Sequence, residues 1–321
     1  MRRALLIGID QYDYVTPLTG CVADATKLRD LLYQNDDGSP NYDCRVLTSP
    51  GPQRITRAYL RSEWYQLFRN FKGDILFYFS GHGTPTEIGG HLVVQDGTLD
   101  DPGLSMNDLL LLANQSRAQE VLLILDCCFS GELGNPSFLQ SGGIVNQAQL
   151  REGVTILAAS GPKEFAKEQG GHGVFTSLLL GALSGGAADV RGEVSAAAIY
   201  TYVEQALGPW DQRPIYKSYA NTLSPVRRCK PFVSDDVLRE LSLYFPRPDS
   251  RYKLDPTYEP THKPKVAKNV EIFIKFKMYR DARLLRSVKG LDLYFTAMKY
   301  GYVELTSLGQ LYWHLAKDRR F

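Results

Sequence analysis

Cysteine is scarce in this chain of 321 residues, and the five that occur are unevenly spaced: Cys21, Cys44, Cys127, Cys128 and Cys229. They form no C-x-x-C pair, and no histidine stands at a zinc-site spacing from them. The pattern therefore indicates neither a disulfide framework nor a zinc motif. We expect reduced thiols and a protein that needs no cofactor.

Long apolar runs are also missing. No segment approaches the roughly 18 residues of a membrane span, and the first residues, MRRALLIGID, lack the long apolar stretch and the small-residue cleavage site of a signal peptide. We expect a cytoplasmic protein that makes no membrane contact.

Charge is unevenly distributed along the chain. The net charge is +2, but residues 263–321 hold 13 Lys/Arg against 5 Asp/Glu, a local excess of +8. Residues 245–268 are punctuated by proline, which is typical of an extended linker. The sequence predicts a core domain over 1–230, a linker over 231–268 and a small, basic, mainly helical domain over 269–321.

Buried strands and amphipathic helices alternate through the first 230 residues. This order predicts a three-layer α/β fold with a mainly parallel central sheet and helices on both faces. The segment HLVVQD (91–96) follows its preceding strand too closely for a helical crossover and is predicted to be a small hairpin element. The predicted strands are 3–9, 44–48, 74–79, 121–125 and 154–159, and the predicted helices are 22–35, 55–70, 105–115, 174–184 and 195–207.

Two strand ends carry residues capable of chemistry. DILFYF (74–79) runs into SGHG, which contains His82, and VLLIL (121–125) runs into DCCFSG, which contains Cys128. Ligands bind at the carboxyl ends of the strands in open parallel sheets. A cysteine thiolate is a strong nucleophile that an imidazole can activate. Glycines beside His82 let a substrate carbonyl approach backbone N–H groups, which predicts an oxyanion hole that includes Gly83.

These motifs resemble those of the caspase-like cysteine peptidases, in particular the metacaspases and bacterial caspase homologues. The resemblance covers about residues 1–230 and rests on four motifs in the family's order: LLIGIDQY…LTGCVADA, SGHG, DCCFSG and GHGVFTSLLLGAL. His82 precedes Cys128 by 46 residues, close to the separation of about 50 residues between histidine and cysteine in caspases.

The resemblance assigns roles to individual residues. It implies that Cys128 is the nucleophile and that His82 is its general base. The N–H groups of Gly83 and Cys128 would stabilise the oxyanion, whereas Cys127 is a packing residue. It also implies that Asp24 and Asp126 line a pocket for Arg or Lys before the scissile bond. From the residues alone, Asp24 equally fits a first-turn acid favoured by the helix dipole, and Asp126 a polar strand terminator.

The segment 132–153 is long for a connection inside a compact domain, which favours a functional or mobile loop. Family members are often processed in this region, and Arg151 is its only basic residue, so self-cleavage after Arg151 is predicted. Asp96, Asp100 and Asp101 loosely match the calcium-responsive acids of some metacaspases, but their spacing favours a solvated loop.

Two functions remain. The first is a regulated, self-processing cysteine endopeptidase that cleaves proteins or peptides after Arg in preference to Lys. The second is a caspase-fold scaffold or binding module whose basic tail recruits nucleic acid, an acidic protein or a regulatory partner. Labelling by an electrophilic peptide ending in arginine is expected only of the first.

Overall fold

The structure is a computed structural model that describes residues 1–86, 89–127, 150–159, 168–169, 172–207, 214–222 and 224–321. Its contacts divide the chain into two compact units. The N-terminal unit comprises residues 1–188 and 193–229, and the C-terminal unit comprises residues 189–192 and 230–321.

A six-stranded sheet forms the centre of the N-terminal unit. Its strand order is β12-β8-β7-β3-β1-β2, and all neighbouring pairs are parallel except β12 with β8. The strands are β1 (Arg2–Ile9), β2 (Asp43–Ser49), β3 (Asp74–Ser80), β7 (Val121–Asp126), β8 (Val154–Ala158) and β12 (Ile215–Tyr219).

Helices cover both faces of this sheet because side chains alternate along each strand. On β3, Phe77 and Phe79 belong to one buried cluster, whereas Leu76 and Tyr78 belong to another. The first cluster includes side chains of α2 (Arg57–Phe68) and α3 (Met106–Gln115), and the second includes side chains of α1 (Cys21–Tyr33), α4 (Val174–Gly181) and α5 (Ala196–Ala206). The predicted three-layer α/β class is confirmed.

The predicted hairpin element is one strand of a small antiparallel sheet of order β4-β5-β6. Its strands are β4 (Gly83–Thr86), β5 (Gly89–Val93) and β6 (Gly103–Ser105). This small sheet begins immediately after His82. Short two-stranded ladders join β9 (Glu168–Gln169) to β10 (His172–Gly173) and β11 (Glu193–Val194) to β13 (Arg227–Arg228).

The C-terminal unit has a core of its own, in which Phe245, Leu254, Phe273 and Phe276 are fully buried. It combines helices with a three-stranded antiparallel sheet of order β14-β16-β15. Its elements are α6 (Asp235–Arg239), α7 (Leu241–Tyr244), β14 (Arg251–Lys253), α8 (Ala267–Asp281), β15 (Leu285–Ser287), α9 (Leu293–Met298), β16 (Tyr302–Leu305) and α10 (Ser307–Lys317).

The segment 231–268, expected to be an extended linker, is folded in this structure. It contains α6, α7 and β14 and contributes Phe245 and Leu254 to the same core as α8. Its prolines fit ordered turns: Pro256 opens a short 3₁₀ turn that the Asp255 side chain caps. Part of this packing has a signal in the sequence, because the buried residues Leu238, Leu241 and Phe245 follow helical spacing.

Among the described residues, no helix combines the length and the apolar character that a membrane span requires.

Candidate active site

Helix α1 begins beside the carboxyl end of β1. The carboxylate of Asp10 accepts the backbone N–H of Cys21 at 2.8 Å, so it satisfies one of the free N–H groups at the start of α1. A Cβ at Gly8 would lie 2.1 Å from the carbonyl oxygen of Cys21, so only glycine allows this close approach. The first turn of α1, which carries Asp24, is therefore held at the edge of the sheet where β3 and β7 also end.

His82 lies two residues beyond β3 and is held by three contacts. Its N–H donates to the hydroxyl of Tyr12 at 2.8 Å, and its carbonyl accepts the N–H of Val93 at 3.0 Å. Its ring Nε2 lies 2.8 Å from the carbonyl oxygen of Thr16. A carbonyl oxygen only accepts, so this contact assigns the proton of the neutral ring to Nε2 and leaves the lone pair on Nδ1.

Asp24 and Asp126 are both buried, with exposed fractions of 1% and 5%. Asp126 ends β7 opposite Ser80 of β3. Burial raises the pKa of the Cys21 thiol far above its usual value, a hydrogen bond with Ser80 opposes this, and the charges of Asp126 and Asp24 add to the rise. Burial followed by the same two charges raises the pKa of Tyr78. The charges of both Asp24 and Asp126 therefore act on Cys21 and on Tyr78.

The N–H of Gly83 is not used by the β4–β5 ladder. The residue before it, His82, accepts the N–H of Val93, and Gly83 lies opposite Leu92. In an antiparallel ladder, hydrogen-bonded pairs alternate with pairs that are not hydrogen-bonded. The Gly83–Leu92 pair is of the second kind, so the Gly83 N–H points away from β5.

The structure describes Cys127 but not the adjacent Cys128. Cys127 is 1% exposed and belongs to the buried cluster that contains Phe79 and Leu125. Cys128, the predicted nucleophile, lies outside the described residues, as does the loop 132–149. In the sequence, Cys128 directly follows Cys127, and Cys127 comes one residue after β7, the strand that pairs with β3.

Arg151, the predicted site of self-cleavage, closes the carboxyl end of α3. Its guanidinium donates to Ala113 O, Ser116 Oγ, Ala118 O and Glu152 O at 2.6 to 3.1 Å. Its backbone N–H donates to Asn114 Oδ1 at 3.0 Å. We call this set of contacts the Arg151 clamp. While the clamp is closed, the guanidinium of Arg151 is committed to acceptors within the fold.

Two of the three acids that loosely match calcium-responsive positions are bound to the start of α2. Asp96 accepts the N–H of Arg57 at 3.1 Å, and Asp101 forms an ion pair with the guanidinium of the same residue. Across the described parts of the chain, no group of three or more His, Cys, Asp or Glu side chains is arranged to hold a metal ion.

Sequence reasoning missed several partners at this edge of the sheet. Tyr12 and Thr176 lie inside the motifs DQY and GHGVFTSLL, but nothing in those motifs shows which atoms their hydroxyls contact. Thr16 contacts His82 through its backbone carbonyl. Every residue type has this carbonyl, so the identity of residue 16 does not indicate the contact. Ser80 and Cys21 also lie inside motifs, SGHG and LTGCVADA, which do not predict the hydrogen bond between their side chains.

Comparison with known proteins agrees with this architecture. A family model described as the caspase domain, Peptidase_C14, matches residues 1–226. The chain belongs to this family. It is a caspase-like protein of the cysteine peptidase class, as its motifs suggested.

Curated relatives of this caspase-like chain are metacaspases. Metacaspase-1 of Plasmodium falciparum is 32% identical over 147 residues, covering 40% of this chain and 24% of the relative. Metacaspase-2 of Trypanosoma brucei brucei is 26% identical over 178 residues, covering 48% of this chain and 51% of the relative. The matches therefore span about half or less of these relatives.

Solved structures share the fold. Caspase-1 from Spodoptera frugiperda superposes with a TM-score of 0.51 at 15% identity, covering 71% of this chain and 90% of the solved one. A Geobacter sulfurreducens protein gives the same TM-score at 17% identity, covering 71% of this chain and 99% of the solved one.

Proposed function

We propose that this chain is a cysteine endopeptidase with a Cys128/His82 dyad. The observation that carries the proposal is the contact of His82 Nε2 with Thr16 O at 2.8 Å, because it leaves Nδ1 as the basic nitrogen of the ring. In the proposed reaction Nδ1 takes the proton of the Cys128 thiol, and the sulfur attacks the substrate carbonyl. The N–H groups of Gly83 and Cys128 stabilise the resulting oxyanion.

The remaining steps complete the cycle. His82 protonates the leaving amine, and the peptide bond breaks to give a thioester on Cys128. Water then attacks the thioester, which releases the carboxylic acid product and returns the thiol. These steps use only groups of this chain and water, so they require no cofactor.

The proposed substrates carry Arg, or less favourably Lys, before the scissile bond. Asp24 and Asp126 are both buried acids whose charges act on Tyr78, and a substrate cation between them would be attracted by both carboxylates. A guanidinium can bind one carboxylate through two parallel hydrogen bonds, which an ammonium cannot.

Self-processing after Arg151 would use the same pocket and requires the Arg151 clamp to open. The scarcity of cysteine and the lack of pairing motifs support action in the cytoplasm.

The test compares fluorogenic peptides that differ only in ending with Arg, Lys, Asp or Leu. We expect kcat/KM for Arg to exceed that for Leu by at least about a hundredfold, since charge-assisted hydrogen bonds contribute roughly 1.5–3 kcal/mol each. Asp126→Ala should remove most of this preference, and Cys128→Ala should abolish turnover and labelling by an electrophilic arginine peptide. A preference for Asp, or an Arg preference unchanged in Asp126→Ala, would contradict the pocket while leaving the dyad intact.

A second proposed function belongs to the C-terminal unit, where residues 230–321 hold 18 Lys/Arg against 11 Asp/Glu. Arg251 and Arg286 flank Glu304 across the sheet, and Lys253 pairs with the exposed Tyr302. This outward face carries three cations and one acid, which favours an anionic partner, either an acidic protein or a nucleic acid.

The test of this second function is fluorescence anisotropy with a polyglutamate peptide and with a single-stranded oligonucleotide at two salt concentrations. Lys253→Ala should weaken binding and reduce its salt dependence. The control is Lys72→Ala, an exposed lysine of the N-terminal unit. Equal loss in both variants, or no binding by the wild type, would refute the proposal.

A further inference from the structure

Two buried hydroxyls form a chain that ends on the carboxylate of Asp126. The hydroxyl of Tyr78 lies 2.6 Å from Thr176 Oγ1, and Thr176 Oγ1 lies 2.6 Å from Asp126 Oδ2. Tyr78 and Thr176 are completely buried, and Asp126 is 5% exposed. Neither hydroxyl is used by the proposed reaction steps.

The chemistry of the three groups fixes the direction of this chain. An ionised carboxylate can only accept, so Thr176 donates its single hydroxyl proton to Asp126 Oδ2. Thr176 Oγ1 must then accept the proton of Tyr78. Burial and the nearby carboxylates raise the pKa of Tyr78, so its hydroxyl keeps the proton that it donates. Each donor strengthens the next bond, because chained hydrogen bonds polarise one another.

The chain ties three separate elements together. Tyr78 lies on β3 and faces the cluster that contains α4, Thr176 lies in the first turn of α4, and Asp126 ends β7. All three side chains are short or fully packed, so the hydroxyl of Thr176 has little freedom to leave the carboxylate. This bond therefore restrains Oδ2 of the Asp126 carboxylate.

We propose that Thr176, supported by Tyr78, is a positioning residue for substrate selection, which orients the Asp126 carboxylate for the side chain of a basic substrate. This inference rests on the proposed function, because it assigns a role within the proposed Arg/Lys pocket. Bidentate binding of a guanidinium depends on the orientation of the carboxylate plane. Loss of the Thr176 hydroxyl should therefore weaken recognition of basic substrates without changing the reaction at Cys128.

The experiment uses four full-length variants. Thr176→Val keeps the shape and removes the donor, Thr176→Ser keeps the donor, and Tyr78→Phe removes only the second hydroxyl. Thr201→Val is the matched control, because Thr201 lies on the exposed face of α5 and bonds its own helix at Ala197 O. Each variant is measured for KM and kcat on matched peptides ending in Arg or in norleucine, and for the rate at which iodoacetamide alkylates Cys128.

For Thr176→Val we expect the ratio of kcat/KM for Arg over norleucine to fall roughly tenfold, mainly through a higher KM for Arg. Tyr78→Phe should show a smaller fall of about threefold, and Thr176→Ser should stay within about twofold of the wild type. Alkylation of Cys128 and turnover of the norleucine peptide should be unchanged throughout.

The outcomes separate this inference from the proposed function. If the wild type shows no preference for Arg, the proposed specificity is refuted, and so is the role of Thr176. A wild type that prefers Arg, together with a Thr176→Val variant that keeps the preference, refutes the role of Thr176 alone. Equal losses for both peptides and for alkylation would show that Thr176 serves only the fold, which also overturns the inference.

Discussion

The hydroxyl of Tyr12 accepts the backbone N–H of His82 at 2.8 Å, while the two rings pack with their centroids 5.0 Å apart. A Cβ at Gly81 would lie 2.7 Å from this hydroxyl, so the glycine before His82 makes room for the contact. Tyr12 therefore positions both the backbone and the ring of His82.

The first prediction tests this support with Tyr12→Phe. The ring packing stays, but the N–H of His82 loses its acceptor, and an unsatisfied partly buried donor costs about 1–3 kcal/mol. We expect kcat to fall roughly tenfold, with Cys128 still alkylated by iodoacetamide. Tyr14→Phe is the control, because Tyr14 is 73% exposed. Unchanged kcat in Tyr12→Phe would show that the contact does not orient His82.

The second prediction separates the adjacent thiols. Cys128→Ala should abolish turnover and labelling by the arginine electrophile while keeping the melting temperature. Cys127→Ser should keep most of the activity per folded molecule but lower the free energy of unfolding by about 1–3 kcal/mol, because it places a hydroxyl in an apolar cluster. Activity assays and thermal melts of both variants are the measurement, and equal loss of activity in the two would refute the assignment of the nucleophile.

The third prediction concerns self-cleavage after Arg151. Because cleavage requires the guanidinium to leave the Arg151 clamp, weakening the clamp should accelerate it. Asn114→Ala removes the acceptor of the Arg151 N–H, and Ser116→Ala removes one acceptor of its guanidinium. We expect the rate to rise several-fold in each variant, as followed by intact-mass analysis.

Two controls apply to the clamp variants. Cys128→Ala in the same backgrounds should give no fragment, and Ser62→Ala, an exposed serine of α2, should cleave at the wild-type rate. Cys128-dependent fragments that end elsewhere, or clamp variants that stay intact while active on peptides, would exclude Arg151 as the processing site.

The fourth prediction concerns the placement of Asp24. Gly8→Ala would bring a Cβ to 2.1 Å from Cys21 O, so α1 must shift and carry Asp24 with it. We expect a loss of about 3 kcal/mol in the free energy of unfolding and a reduced preference for Arg over Leu peptides. Gly38→Ala is the control: Gly38 has a φ of +80° but open space around it, so it should lose stability through backbone strain alone and keep the preference. If Gly8→Ala keeps the preference for Arg and Gly38→Ala loses it, Asp24 does not belong to the pocket.

The core of the N-terminal unit and the strand ends that precede His82 and carry Asp126 follow from the sequence alone. Apolar runs and helical spacing are local properties, and a chain that alternates strands with helices has few ways to build a parallel sheet, because crossovers are right-handed. The order of the motifs and their place at strand ends then identified the family and the candidate dyad.

The C-terminal unit was less accessible from the sequence. Prolines and charges between 245 and 268 suggested a linker, although Phe245, Leu254 and Tyr258 are buried in the core with α8. Phe245 continues the helical spacing of Leu238 and Leu241, whereas Leu254 and Tyr258 lie beside a three-residue strand and in a 3₁₀ turn, which are too short for a periodic signal. The antiparallel edge strand β12 is not predicted from the sequence. Its residues are largely half-buried or exposed, so they do not form the apolar run that indicates a buried strand.

The atoms that support the candidate site follow from the packing of the chain and not from its motifs. Thr176 reaches Asp126 across 50 positions of sequence and Tyr78 across 98, and Arg151 closes a helix that ends 36 residues before it. Such contacts depend on how helices pack across the two faces of the sheet and on side-chain rotamers. Residue spacing encodes neither of them, because hydrogen-bond partners are set by directions in space and not by separation along the chain.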